Sequence, residues 1–188
     1  MTPPRPLRAD AIRNRAKILT AASEQISTHG IDIGMDEIAT AAGVAVGTLY
    51  RHFPNKTELV AAVVADFFHR VADDADAANQ RVAQGARALD EITGFLRRVI
   101  EDAAINHAAK AALSALGARP GDPAAEQRSA TAVTSMIKAG QAAGDIHPDV
   151  TVDDLYLLVE SAPTGRPPAA RSRWLDLVLP GLTTHPRR

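Results

Sequence analysis

The sequence predicts an all-α protein, and three observations carry that expectation. Apolar residues recur at three- and four-residue spacings in long windows, as in Ile12, Ala16, Leu19, Ala22 and Ile26, and again in Leu59, Val63, Phe67, Val71 and Ala75. That is the pattern of a helix burying one face. Alanine is abundant while aromatic residues make up only 4%, a composition suited to closely packed helices, and long β-branched runs of strand type are absent. Finally, two short helix-like stretches meet at Gly43, the layout of two crossing helices joined by a tight turn.

The bulk properties set limits. A chain of 188 residues can hold a small module plus a larger helical domain, or a single domain of above-average size. A hydrophobic fraction of 46% excludes a disordered chain. The formal net charge is −1, yet within the first seventeen residues Arg5, Arg8, Arg13, Arg15 and Lys17 face only Asp10. Such a basic arm neutralises phosphates, although by itself it reads equally well as a solubilising terminus. With no cysteine there is no disulfide framework or thiol chemistry. Neither an apolar signal core nor a run of ~18 apolar residues is found, so the expected location is the cytoplasm, with no membrane partner.

Element by element, Pro3, Pro4 and Pro6 mark residues 1–9 as a flexible basic arm. A first helix is expected over 10–29, with Asp10 as N-cap and Gly30 just past its end. Helices follow at 35–42 and 46–53, giving a head domain over 10–55. Pro54-Asn55 breaks the third helix, and Lys56 opens a long fourth helix reaching about residue 84. Asp73, Asp74 and Asp76 near its far end read as a solvated surface, since no further ligand is spaced to complete a metal site. Residues 56–188 form the second domain. Its expected helices cover 89–107, 108–116, 124–143, 153–162 and 170–182, with a glycine- and proline-rich loop at 117–123 and an extended linker at 163–168. The total is about nine helices.

Residues 37–56, EIATAAGVAVGTLYRHFPNK, are the most informative segment. Ile38, Ala39 and Ala42 give the second helix an apolar side; Leu49 and Phe53 do the same for the third. Thr48, Tyr50, Arg51 and His52 occupy its other faces, and such side chains reach base edges or phosphates. The run 43–53, GVAVGTLYRHF, followed by Asn55-Lys56-Thr57-Glu58-Leu59, resembles the DNA-binding signature of the TetR family of one-component transcriptional regulators. The resemblance spans residues 11–64, about a third of the chain. Gly34 departs from the family pattern, which has a capping Ser or Thr there, and the loop 31–34 is a residue short; Asp36 still favours the helix N-terminus.

The resemblance implies an N-terminal three-helix helix-turn-helix DNA-binding domain followed by a helical ligand-binding and dimerisation domain. It also implies a homodimer that binds a palindromic double-stranded DNA operator, most often as a repressor, and releases it when a small molecule binds. Matched to the family motif, Val46, Thr48 and Arg51 are the candidate base readers, and Gly47 lets the backbone approach the groove. Arg51 donating twice to guanine would supply ~1–3 kcal/mol of discrimination. Tyr50, His52 and Lys56 are the candidate phosphate contacts, Thr40 adds a hydroxyl from the second helix, and Arg13 contributes from the arm. Leu49, Phe53 and Ile38 are assigned to the core.

The turn Gly144-Asp-Ile-His-Pro-Asp resembles the segment before the family's dimerisation helices. The expected dimer contacts are Leu155, Leu158, Val159, Trp174, Leu177 and Val178, though spacing alone allows the same residues to pack inside one chain. The expected effector is apolar or weakly polar, lined by Phe67, Phe68, Phe95, Val99, Asn106, His107, Leu113, Met136, Ile137 and Tyr156; an apolar stripe in a helical bundle is more often simply core.

An enzyme needs a nucleophile with its base, a metal cluster or a phosphate-cradling glycine loop. The six histidines make no His-x-x-x-His pair and no Gly-x-Ser-x-Gly occurs, so neither catalytic residues, metal ligands nor a cofactor are expected. The remaining alternative is a helical ligand-binding or protein-interaction module without operator-specific DNA binding.

Overall fold

Nine α-helices and one short 3-10 turn make up the regular structure of the described residues: α1 (Arg5–His29), α2 (Met35–Ala42), α3 (Val46–His52), α4 (Lys56–Ala83), α5 (Ala88–Ile105), α6 (His107–Ala115), α7 (Pro123–Ala142), α8 (Val152–Ser161), α9 (Pro168–Val178) and the 3-10 turn Leu179–Leu182. The computed structural model describes residues 5–115 and 121–184. The arm residues 1–4, the side chains of Arg5 and Arg8, and loop residues 116–120 lie outside the described residues.

The first helix begins at Arg5, earlier than its expected start at residue 10. Pro6 falls in the first turn, where its fixed φ suits a helix and its missing N–H is not needed. Asp10 therefore lies within α1 and, instead of capping it, pairs with Arg13 one turn on.

By compactness the chain divides into two units, Met1–Phe67 with Ile105–Gly121, and Phe68–Ala104 with Asp122–Arg188. Sequence reasoning placed the break at 55/56. Compactness instead joins the first part of α4 and all of α6 to the head helices. A side-chain bond accounts for part of this: Ser23 on α1 donates to Asn106 Oδ1 at 3.1 Å, and both residues are buried. A satisfied polar pair in a dry interior is costly to separate.

In the first unit, α1 buries Ile18, Leu19, Ala22 and Ile26. Ile12 and Ala16, expected on the same face, are exposed, Ile12 by 65%. At 1.5 Å per residue, α1 is about 37 Å long, while α2 and α3 are each near ~12 Å or less. Gly34 has no side chain with which to cap α2, but Glu37 reaches back and accepts the Gly34 N–H at 2.8 Å, half of a capping box. Gly43, at φ +64°, closes α2 in the left-handed conformation while Val44 N–H returns to the Ala39 carbonyl at 3.0 Å. A full reciprocal box opens α4: Asn55 accepts the Glu58 N–H at 2.9 Å and donates its amide to the Glu58 carboxylate at 2.8 Å.

The second unit has one apolar core, drawn from α4, α5, α7, α8, α9 and the 3-10 turn, in which Leu96, Ile100, Met136, Ile146, Leu155 and Leu175 are buried. The turn after α7 locks it. Ile146 folds back over Gly140, the chain continues into a single antiparallel bridge between Ile146 and Thr183, and His147 N–H donates to the Leu182 carbonyl at 3.0 Å. The aspartates of α4, expected to be simply solvated, are paired: Arg128 donates to Asp73 at 2.8 Å and Asp76 at 2.7 Å, and Arg98 grips Asp74 at 2.9 and 3.0 Å. Residues 24 to 55 positions away in the chain supply these arginines, so no local pattern announced them. Arg171, 9% exposed, binds the Glu101 carboxylate and the Arg166 carbonyl, fixing the α8–α9 connection to α5. No helix among the described residues is long and apolar enough to cross a membrane.

Two outcomes follow from this packing. A Cβ on Gly140 would sit 2.5 Å from Ile146 Cδ1, so Gly140→Ala should destabilise the protein by ~1–3 kcal/mol. Adding Ile146→Val, which removes that methyl, should recover part of the loss; strictly additive melting-temperature changes would refute the contact. The second outcome concerns α8. The Thr151 backbone N–H, at 2.7 Å, and then the Thr151 hydroxyl, at 2.8 Å, hold the Asp154 carboxyl below the usual aspartate range. A carboxyl depressed in the folded state stabilises fully above its unfolded pKa of ~3.9, and that stabilisation fades as pH falls through the lower folded value. Hydrogen-exchange protection of the first α8 turn should therefore drop below about pH 4, and Asp154→Asn should abolish that dependence.

Candidate nucleic-acid interface

Seven residues make α3, and their burial divides the helix sharply. Leu49 is fully buried, with Ile38 of α2 also at 0% and Phe53 at 4% exposure. At about 100° per residue, Val46, Tyr50, Gly47 and Arg51 then fall in one arc of about 140°, in which Gly47 and Arg51 stand opposite Leu49 and Val46 lies nearest it. All four are exposed, Val46 by 38% and Tyr50 by 45%, and nothing lies within 4 Å of where a Gly47 Cβ would be. Thr48 and His52 flank Leu49 and are half-buried. Of the expected base readers, Val46 and Arg51 lie on this exposed arc and Thr48 at its margin; Gly47, expected to allow close backbone approach, and Tyr50, an expected phosphate contact, share the arc.

The polar groups have definite partners. Arg51 Nε donates to the Gly47 carbonyl at 3.1 Å, laying the guanidinium along its own helix with its terminal nitrogens outward. Thr40 is exposed, and its hydroxyl donates to the Asp36 carbonyl at 2.9 Å. Lys56, half-buried, donates to the Ile33 carbonyl, so in this structure it ties the start of α4 to the α1–α2 loop. Arg13 is exposed and paired with Asp10. The His52 ring stands 6.3 Å from that of Phe53, and on the same ring rests the Arg15 guanidinium, 5.3 Å from the centroid. Sequence reasoning gave Arg15 no role beyond the arm; its contact partner lies 38 residues away (53 less 15) and has no local signature.

The expected effector lining falls in both units. In the first, Phe67, Asn106 and Leu113 are buried, His107 is exposed, and Lys110 Nζ stands 4.0 Å from the Phe67 ring centroid. In the second, Phe95, Val99, Met136 and Ile137 pack as interior of the apolar core, while Phe68 is half-buried. Tyr156 is 40% exposed, its hydroxyl donating to the Glu126 carbonyl at 3.4 Å, and burial of its ring raises the phenol above its usual range. Two open grooves of about 350 and 450 Å³ lie on the second unit, the former between α5 and α9 (Leu89, Thr93, Asp176), the latter beside Asp73 and Arg128. Neither is lined by any of the ten residues. A close-packed interior uses an apolar stripe as core before it uses it as a wall.

The dimer candidates sort in the same way. Leu155 is buried in the apolar core of the second unit, at 4% exposure, the intramolecular packing that spacing alone also allowed. Leu158, Val159, Trp174 and Val178 are partly buried against that core. Leu177 is 56% exposed, and Leu157, not among the candidates, is 64% exposed.

Comparison with known proteins fits this geometry. The family described as bacterial regulatory proteins, tetR family, matches residues 18–63, and the transcriptional regulator SbtR-like C-terminal domain matches residues 88–184. A helix-turn-helix-type transcriptional regulator of Staphylococcus aureus is 41% identical over 59 residues, 31% of this chain and 32% of that protein, so the chain spans about a third of the length of the curated relatives it matches. Among solved structures, a TetR transcription regulatory protein from Mycobacterium vanbaalenii is 34% identical, covering 95% of this chain and 100% of its own, with a TM-score of 0.77. A TetR transcriptional regulator from Streptomyces coelicolor is 31% identical, covering 90% and 98%, with a TM-score of 0.74. Two domain matches that between them take in most of the chain, and a full-length structural relative above 30% identity, establish that this protein belongs to the TetR family of bacterial regulatory proteins.

Proposed function

We propose that this protein is a cytoplasmic transcriptional regulator, acting as a repressor, that binds a near-palindromic operator as a homodimer and lets it go when an apolar or weakly polar small molecule binds. The observation that carries this reading is the exposed arc of α3, Val46, Gly47, Tyr50 and Arg51, held outward by a helix whose other side is sealed in the core. A helix presented in this way enters the major groove, where side chains near its N-terminus meet base edges. Arg51 and Val46 read bases; Tyr50 and His52 touch phosphates; Lys56 does so only by giving up the Ile33 carbonyl. A second copy completes the operator contact, since paired recognition helices ~34–36 Å apart or farther match two half-sites. The exposed Leu157, Leu177 and Tyr156 on α8 and α9 supply its apolar contact surface.

Fluorescence anisotropy with a duplex from upstream of the protein's own gene, across a salt series, tests the reading. Specific binding should exceed that to a scrambled duplex by ~10³-fold or more and weaken steeply with salt. Equal weak binding to both, followed by failure to enrich any site from random DNA, would refute it. Arg51→Ala should cost ~1–3 kcal/mol at the operator and much less on scrambled DNA. The doubly substituted Leu157→Glu, Leu177→Glu protein should sediment as a monomer and lose operator affinity; an unchanged dimer would remove the α8–α9 surface from the assignment.

A further inference from the structure

The cations of α1 cannot all serve one surface. Arg13 and Lys17 lie two residues to either side of Arg15, which places each about 160° around the helix from it. The structure fixes the direction of Arg15, because its guanidinium rests on the Phe53 ring 5.3 Å from the centroid. Phe53 is the C-terminal cap of α3, so Arg15 is held at the recognition helix and its two neighbours point away from that contact. His52 borders the same ring at 6.3 Å, which brings two nitrogen donors to one margin of α3. The state of charge separates the arginines further. Arg13 is paired on the surface with Asp10, so any phosphate approaching Arg13 also approaches that carboxylate. Among the described residues, no carboxylate or carbonyl is paired with Arg15. An aromatic face holds a guanidinium in place without occupying its N–H donors, leaving the planar fork ready for a phosphate.

We propose that Arg15, stacked on Phe53 beside His52, is a ligand for a backbone phosphodiester of the DNA, and that Arg13 is not. The inference rests on the operator-binding reading above. Arg15 is a positioning contact: it sets how the recognition helix sits in the groove and adds affinity without reading sequence. A purely structural role, in which its charge only favours the C-terminus of α3, would leave the DNA contacts unaltered.

The test uses the full chain and compares wild type with Arg15→Ala, Arg15→Lys and Arg13→Ala on operator and scrambled duplexes, each across a salt series, with melting temperatures alongside. One lost phosphate contact per protomer lowers the slope of log K against log salt by ~0.9, so about 1.8 for a dimer. Arg15→Ala should show that decrease on both duplexes, Arg15→Lys should keep most of the slope with some loss of affinity, and Arg13→Ala should keep the wild-type slope. An unchanged slope in Arg15→Ala, whether or not the melting temperature falls, would overturn the assignment in favour of the structural role. A decrease in Arg13→Ala equal to that in Arg15→Ala would overturn the distinction between them. Wild-type protein showing no salt-dependent binding to any duplex would instead fail the operator-binding reading itself, and this inference with it.

Discussion

A seven-residue helix is far below the length at which helices persist in water by themselves, so α3 exists only through what it buries. Leu49 is inserted to 0% exposure beside Ile38, and Phe53 closes the far end. Everything that α3 exposes depends on that insertion. With one side anchored, the helix has no freedom to rotate, and the residues about half a turn away from Leu49 must face solvent. The left-handed Gly43 sets the crossing that makes the burial possible, and the Asn55–Glu58 box starts α4 directly after α3 ends. Each device is local, and each limits where Arg51 and Tyr50 can point.

Polar chemistry divides along the same lines. The head carries its cations near the recognition helix, several of them held by neutral partners: the Gly47 carbonyl for Arg51, the Ile33 carbonyl for Lys56 and the Phe53 ring for Arg15. None of these partners cancels the charge. In the second unit several arginines pair with carboxylates instead, Arg98 with Asp74, Arg128 with Asp73 and Asp76, Arg87 with Asp145 and Arg171 with Glu101. Exposed pairs of that kind add little stability individually, but each offsets a positive charge with a negative one. A chain of net charge −1 can therefore still present a cationic face where DNA would lie.

Sequence reasoning read the helices well because their signals are local. The α2 bounds were expected where they are found, and most others shifted by a residue or two, the usual uncertainty of helix ends. It misjudged α1 at both levels. The first helix begins at Arg5, inside the expected arm, and Ile12 and Ala16 keep the helical periodicity yet are exposed. Periodicity states which residues share a face and is silent on whether a neighbour reaches them. The same gap separated Leu155 from Leu177: both are apolar and at helical spacing, yet one is core and the other is exposed.

By itself, then, the sequence determined that this chain is helical, where its head lies, and which residue types stand on the recognition helix, since helix periodicity, caps and glycine turns act over a few residues. Only the tertiary structure decided which of those residues face outward, that α6 packs with the head through Ser23 and Asn106, and that the aspartates of α4 are bound by arginines from α5 and α7. It also set Arg15 of α1 against the ring of Phe53 at the end of α3. Such outcomes depend on contacts between residues far apart in the chain, whose pairing is fixed by packing and leaves no mark on the local pattern of either partner.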